Sequence, residues 1–230
     1  MNAYGARSAG NGRRKFVRTA GGALTGLWAT GRWSVAHAQA YPQTVAALSY
    51  AFQRETDAHR RYAEFAGVAS KEGYKGIAYM FTAFAASEGV HLRNFRNLVA
   101  QLGGQVVAAP TAMQTGSTKQ NLIAAVDDEI DAIDSLYPRT LERIQPEGHG
   151  EAARLVKFAW ESERQHRELI QKIRRYTPMM FETVAKTIDD KTGLYFVCGT
   201  CGSTLNKIPD PSCPVCSGSP AQYQRVPIPG

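Results

Sequence analysis

The sequence predicts a mainly α-helical protein: a four-helix bundle followed by a small metal-binding domain of strands and loops. Three observations carry that expectation. Between Val45 and Tyr176, apolar and polar residues recur at helical spacing, with Ala, Leu, Glu, Arg and Gln dominant. This stretch is interrupted at Glu72-Gly73, from Gly103-Gly104 to Gly116, and at Pro146-Glu147-Gly148. All four cysteines follow it, in a segment rich in Gly, Pro and Ser.

The chain has 230 residues, 43% hydrophobic and 20% charged, a globular balance. No apolar run reaches the roughly 20 residues of a membrane-spanning helix. The formal charge is +7, but Arg7, Arg13, Arg14, Lys15, Arg18 and Arg32 account for all but one unit of it. The basic balance therefore belongs to the leader, and no nucleic-acid groove is implied. Residues 1–40 read as an export signal. Arg13-Arg14-Lys15-Phe16 precede a weakly apolar stretch from Thr19 to Thr30, and small residues follow around Ala36-His37-Ala38-Gln39-Ala40. The paired arginines resemble the twin-arginine type, which implies delivery to the periplasm in folded form with cleavage after Ala38 or Ala40. Arg32 interrupts the expected layout.

The breaks delimit four helices, at about 43–71, 74–102, 118–145 and 149–176. At 1.5 Å per residue each is about 40 Å long. Two short turns and one longer connection suit a bundle with a crossover. Pro178 ends the fourth helix, and a short helical linker follows. The predicted division is thus 1–40 signal, 41–178 bundle, 179–192 linker helix and 193–230 second domain.

The bundle repeats itself. Glu55-Thr56-Asp57-Ala58 matches Glu129-Ile130-Asp131-Ala132, and Tyr62 matches Tyr137. Glu72-Gly73-Tyr74 matches Glu147-Gly148-His149, and Glu88-x-x-His91 matches Glu163-x-x-His166. A helix-turn-helix unit therefore occurs twice, about a pseudo-two-fold axis. Glu55 and Tyr62 are seven positions apart, whereas Glu129 and Tyr137 are eight apart. One extra residue within a helix is the mark of a π-bulge, predicted here between Glu129 and Tyr137.

Each Glu-x-x-His motif places a carboxylate and an imidazole on one helix face. One such pair is commonplace on a solvated helix; two at matching points of a repeat, within helices that supply core, are not. Buried carboxylates are costly unless paired or metal-bound. One Glu from each of two helices plus Glu-x-x-His from each of the others is the ligand plan of ferritin-like di-iron carboxylate proteins. The predicted ligands are Glu55, Glu88, His91, Glu129, Glu163 and His166. Four carboxylates balance two ferrous ions in charge, and their oxygens together with imidazole suit iron, with manganese or mixed metals as alternatives.

Cys198-x-x-Cys201 and Cys213-x-x-Cys216 are two knuckles that can close on one tetrahedral metal. Two disulfides are the alternative for an exported chain. Tyr195-x-x-Cys198, Cys201-Gly202 and Cys213-Pro214-x-Cys216 look like the knuckles of rubredoxin, which implies a mononuclear iron, with zinc the other choice.

A ferritin-like bundle with a rubredoxin-like tail resembles the rubrerythrin family over about residues 45–228. The resemblance extends to Arg61-Tyr62, Lys71-Glu72-Gly73-Tyr74, Tyr137-Pro138 and Glu147-Gly148-His149-Gly150-Glu151-Ala152-Ala153. It implies reduction of hydrogen peroxide to water at the di-iron site, with electrons relayed from the rubredoxin-like centre. By the same resemblance, Glu55 and His91 would be terminal ligands of one iron and Glu129 and His166 of the other. Glu88 and Glu163 would bridge, and Tyr62 and Tyr137 would hydrogen-bond ligand carboxylates.

Typical members have a seventh ligand, a Glu one turn after the third-helix glutamate. Here that position is Ala132. Without it, His91 is expected to stay bound in both oxidation states. Asp131 or Asp134 could replace it only if the π-bulge turned one inward. The six-ligand set leaves two alternatives: an oxygen-dependent ferrous oxidase that sequesters iron, or a non-enzymatic metal-binding module with a zinc ribbon. The electron donor is not named by the sequence. A helix near 40 Å long would carry the tail away from its own di-iron site unless 177–192 folds back. The resemblance implies an antiparallel homodimer, with electrons crossing between chains.

Overall fold

The computed structural model describes residues 40–229, apart from 110, 166 and 192. The export-signal expectation falls on residues 1–39, outside the described residues. Helix α1 spans Pro42–Lys71 and α2 spans Lys75–Gln101. A long connection leads to α3, Thr118–Asp131, and a π-helical turn, Ala132–Leu136, leads directly into α4, Tyr137–Ile144. Helices α5, Gly150–Arg164, and α6, Arg167–Lys191, complete the helical part. The π-turn lies between Glu129 and Tyr137, where the eight-residue spacing places it.

The turns follow from local chemistry. Proline at the start of α1 needs no amide partner. The α1–α2 turn closes through Gly73 at φ 90°, a left-handed conformation that disfavours a side chain. Ser117 and Gln120 form a reciprocal capping box at the start of α3.

The repeated Glu-Gly turns exchange caps. The Glu147 carboxylate accepts from the amides of Gln43 and Thr44, both at 2.8 Å, at the start of α1. Glu72 accepts from the Thr118 amide at 3.0 Å, at the start of α3. Each repeat thus caps the first helix of the other, where a negative charge also complements the helix dipole.

The connection between α2 and α3 runs back along α1. Gln53 exchanges two hydrogen bonds with the Ala109 backbone, both 3.0 Å. Thr111 donates to Asp57 at 2.6 Å, and Thr115 donates to Glu64 at 3.3 Å. This path brings Ser117 to the C-terminal end of α1, so α3 and α4 run antiparallel to it.

Two apolar clusters fill the bundle. One contains Tyr62, Phe65, Ile77, Phe81, Leu122 and Ile173. The other contains Leu48, Phe52, Phe95, Leu98, Tyr137 and Val156. Along each of the four bundle helices the sequence passes from one cluster to the other, and a glutamate marks the change: Glu55, Glu88, Glu129 or Glu163. The carboxylates form a buried polar layer between two cores.

The expected fourth helix has a turn at Gln165 that separates α5 from α6. Helix α6 packs against α3 and then breaks at Pro178–Met180, where Met180 is non-helical at φ −130° and ψ 38°. The chain then returns along α2. Asp189 accepts from the Gly76 amide at 2.5 Å, and Phe181 packs against Tyr74 with ring centroids 4.9 Å apart.

The returning chain ends in a three-stranded antiparallel sheet of order β2-β1-β3, from Phe196–Cys198, Thr204–Leu205 and Tyr223–Arg225. The sheet lobe sits on α2. Val197 and Val226 pack against Tyr79, Ala83 and Val90. The Tyr79 hydroxyl donates to the Val226 carbonyl at 3.0 Å and accepts from the Tyr195 amide at 3.1 Å. No helix among the described residues is long and apolar enough to cross a membrane.

Candidate metal centres

Each bundle helix brings one carboxylate inward. Glu55 and Glu129 face each other from the antiparallel α1 and α3, while Glu88 on α2 and Glu163 on α5 complete the layer. All four are between 3% and 6% exposed, and His91, one turn after Glu88, is 1% exposed. Donor atoms of Glu55, Glu88 and His91 lie within 4.8 Å of one another, as do those of Glu88, Glu129 and Glu163. Glu88 belongs to both groups. His166, the remaining predicted ligand, lies outside the described residues.

The tyrosines connect the repeats crosswise. The Tyr62 hydroxyl donates to Glu129 at 2.6 Å, and the Tyr137 hydroxyl donates to Glu55 at 2.8 Å. Burial, then the charges of the carboxylates they face, raise both phenols well above their ordinary pKa. They keep their protons and act as donors. The π-turn sets this geometry, because it lets Glu129 and Tyr137 both point inward despite their eight-residue spacing.

The layer is electrostatically incomplete as protein alone. Burial, then the charges of Glu55 and Glu129, push the Glu88 carboxyl well above its usual range. Burial, then Glu129 and Glu88, do the same to Glu163. Burial also opposes the Glu55 anion, but His91 and the Tyr137 hydroxyl outweigh it and hold that carboxyl low. Burial would neutralise His91, but Glu55 and Glu163 raise its pKa. One Glu163 oxygen, Oε1, is buried with no hydrogen bond, and its neighbour of opposite character is His91 Nδ1 at 3.4 Å. Among the described residues, four buried carboxylates facing a single imidazole leave a layer that calls for cations. Oxygen donors with one imidazole suit iron in either oxidation state. The residues fit the expected metals.

Neither alternative seventh ligand reaches this layer. Asp131 pairs with Arg54 at 3.0 Å, and Asp134 pairs with Arg167 at 2.6 Å, both on the outer surface. The π-turn presents Ala132 to the site instead.

In the sheet lobe, Cys198, Cys201, Cys213 and Cys216 bring four sulfurs within 4.8 Å of one another. The Cys198–Cys216 and Cys201–Cys213 separations are 3.8 and 3.6 Å. A tetrahedron with metal–sulfur bonds near 2.3 Å has edges of about 3.8 Å, whereas a disulfide is about 2.05 Å. All four thiols are free, and the disulfide alternative is not what the fold forms. Hydrogen bonding from Cys201 lowers the Cys198 thiol to about 5, while its counterpart at Cys201 is raised by the same shared bond and by burial. Burial lifts Cys216 to about 11. A bound cation is what would allow all four to ionise together.

The two donor sets meet. His91 Nδ1 faces the carboxylates, 2.9 Å from Glu88 and 3.4 Å from Glu163. Its Nε2 lies 2.9 Å from Ser162 Oγ and 3.1 Å from the Cys201 carbonyl oxygen. Around this contact Ser87 donates to the Gly202 carbonyl at 2.9 Å, and Asn94 donates to the Thr200 carbonyl at 2.8 Å. Gly202 has φ 84°, and a Cβ there would collide with the His91 ring. The condition set by the sequence, that 177–192 fold back, is met, and the lobe lies against its own bundle. The break at Pro178–Met180 folds 181–191 back along α2.

Sequence reasoning missed Ser87, Ser162 and Gly202 as parts of this contact. A signal existed for the serines: the repeated motif is Ser-Glu-x-x-His in both halves.

The bundle with its carboxylate layer and attached thiolate lobe is the architecture of a ferritin-like di-iron protein with a rubredoxin-like four-cysteine site. The rubrerythrin family profile matches residues 46–174. A rubrerythrin of Porphyromonas gingivalis is 30% identical over 181 residues, covering 78% of this chain and 88% of that protein. Nigerythrin of Nitratidesulfovibrio vulgaris is 32% identical over 177 residues, covering 75% and 81%. A solved mixed-valence structure of nigerythrin superposes with a TM-score of 0.64 at 28% identity, covering 79% of this chain and 86% of that one. The chain belongs to the rubrerythrin family.

Proposed function

We propose that this protein is a non-haem di-iron peroxidase that reduces hydrogen peroxide to water with electrons supplied through the iron of its four-cysteine site. The observation that carries the reading is the His91 contact: one imidazole faces the carboxylate layer with Nδ1 and the Cys201 carbonyl with Nε2. A zinc ribbon for protein contact would have no need of such a link. Glu55 and His91 would hold one iron, Glu129 and His166 the other, with Glu88 and Glu163 shared. The shared place of Glu88 in both donor groups supports its bridging role. When bound, two ferrous ions supply the two electrons that, with two protons, convert one peroxide to two water molecules.

The chain's own residues set the conditions. Tyr62 and Tyr137 orient Glu129 and Glu55 by donated hydrogen bonds. With Nδ1 as the ligand atom, His91 carries its proton on Nε2 and offers it to Ser162 and Cys201. The apolar clusters on either side exclude water from the layer. The link lies within one chain, and it supports transfer from a lobe to its own bundle.

With Ala132 in place of a seventh ligand, the six-ligand set resembles that of oxygen-activating di-iron proteins, which makes dioxygen the alternative oxidant. Metal analysis with stopped-flow oxidation of the diferrous protein tests both. The expected result is iron in all three positions, a thiolate-to-iron visible band, and faster oxidation by peroxide than by oxygen. A colourless zinc-loaded lobe, or oxidation by oxygen alone, would overturn the peroxidase reading. The leader supports twin-arginine export to the periplasm; replacing Arg13 and Arg14 by Lys should retain the precursor in the cytoplasm.

A further inference from the structure

The four sulfurs of the sheet lobe draw their hydrogen bonds from different donors. Backbone amides stabilise three of the thiolates: Thr200 and Cys201 serve Cys198, Ser203 serves Cys201, and Gly218 serves Cys216. Cys213 has a side-chain donor, the Tyr223 hydroxyl, which lies 3.2 Å from its Sγ. The strand pairing sets this contact. Tyr223 on β3 stands opposite Cys198 on β1, and its ring shares one buried cluster with Cys198, Cys201 and Cys213.

The same hydroxyl has a second neighbour. Ser203 Oγ lies 2.9 Å from it, and Ser203 in turn donates to Gln165 Oε1 at 2.8 Å, at the turn that ends α5. A phenol carries one proton, and so does a serine hydroxyl. With the serine proton committed to Gln165, the serine oxygen accepts from Tyr223. It therefore competes with the Cys213 sulfur for the one phenol proton.

We propose that Tyr223 tunes the thiolate site through Cys213: its hydroxyl donates to Sγ and raises the reduction potential of a bound iron, and Ser203 moderates the effect by drawing on the same proton. The proposal rests on the reading of the lobe as an iron centre that passes electrons. Reducing an iron held by four thiolates adds a negative charge that the sulfurs share. A hydrogen bond donated to sulfur stabilises that charge and favours the reduced form. The ring alone would fill its place in the cluster, so the hydroxyl is the part of the side chain with a chemical consequence.

The test uses full-length, iron-loaded protein. Tyr223→Phe keeps the ring and removes the proton. It should load iron fully, yet its reduction equilibrium should shift about tenfold toward the oxidised form, which is about 59 mV for one electron. The thiolate-to-iron band of the oxidised form should move to longer wavelength, because a sulfur without the bond gives up its electron more easily. Ser203→Ala leaves Tyr223 and all four sulfurs in place and frees the phenol proton for Cys213. Potential and band should then both move the opposite way, a pair of signs that a merely loosened lobe would not produce. A cobalt-loaded lobe reports the same bond without redox chemistry, through the shift of its thiolate-to-cobalt band. If Tyr223→Phe does not fold, Ser203→Ala carries the test alone. An unchanged potential and band in fully loaded Tyr223→Phe would overturn the proposal. A lowered potential in Ser203→Ala would overturn the competition for the proton. The expected cobalt shifts in a protein whose native lobe carries zinc would keep the hydrogen bonds and sink the electron-relay reading.

Discussion

His91 Nε2 lies 3.1 Å from the carbonyl oxygen of Cys201, and this single hydrogen bond spans the two donor sets of the chain. A residue from the first Glu-x-x-His motif thus touches a residue from the first Cys-x-x-Cys motif, 110 positions later.

That contact depends on Gly202. Gly202→Ala places a Cβ against the His91 ring and the Ser87 hydroxyl, at a left-handed φ that costs about 1 kcal/mol. Both metal sites should load, and an external reductant should still reduce the thiolate centre. Turnover should fall about tenfold or more, as for other angstrom-scale misplacements. Undiminished turnover would remove the His91–Cys201 contact from the electron path.

Tyr62→Phe and Tyr137→Phe each remove the donor to one buried carboxylate. The loss should cost about 1–3 kcal/mol in the folded protein. Metal affinity should fall about 10- to 100-fold, as for other partners that orient a ligand. Chelator competition measures it, and wild-type affinity in both variants would show that the hydroxyls do not orient the ligands.

The metal-free bundle should lose stability as pH rises. Glu88 and Glu163 have raised pKa values when folded, so above the ordinary carboxylate range the folded chain holds more protons than the unfolded one. Stability then falls with pH through that window, and raised His91 adds the same sign. Bound metal replaces those protons, so loading should release them and flatten the profile. Thermal unfolding of both forms over about pH 5 to 8 checks this. A metal-free melting temperature that rises across that range would contradict the assignment.

Transfer within one chain has a direct test. A subunit lacking 193–230 is mixed with one carrying Glu163→Ala, which should empty the carboxylate site. Because the lobe already reaches its own bundle, the mixture should remain inactive even as confirmed mixed dimers. Recovery would show that lobes exchange between subunits.

Much of this organisation was legible in the residues. The repeat exposed the four glutamates, the tyrosines and even the π-turn, because spacing along a helix converts directly into direction. The knuckles were legible because two Cys-x-x-Cys pairs have few other uses. What could not be read was the return of the chain. Pro178 marks a break, but the path taken after it depends on contacts with α2, such as Asp189 with the Gly76 amide. Those are tertiary, and no local pattern encodes them. The roles of Ser87 and Ser162 were hidden for the same reason, despite their matching positions.

The exchanged caps of Glu72 and Glu147 bear on the origin of the bundle. Neither hairpin supplies the charge for its own first helix, so neither is a finished unit. Two identical hairpins related by a dyad could give each other the same caps and pool the same four glutamates. The present chain has the form of such a pair joined head to tail by residues 102–117. Cutting within that segment should yield two fragments that assemble with each other, each ordering its partner's helix start.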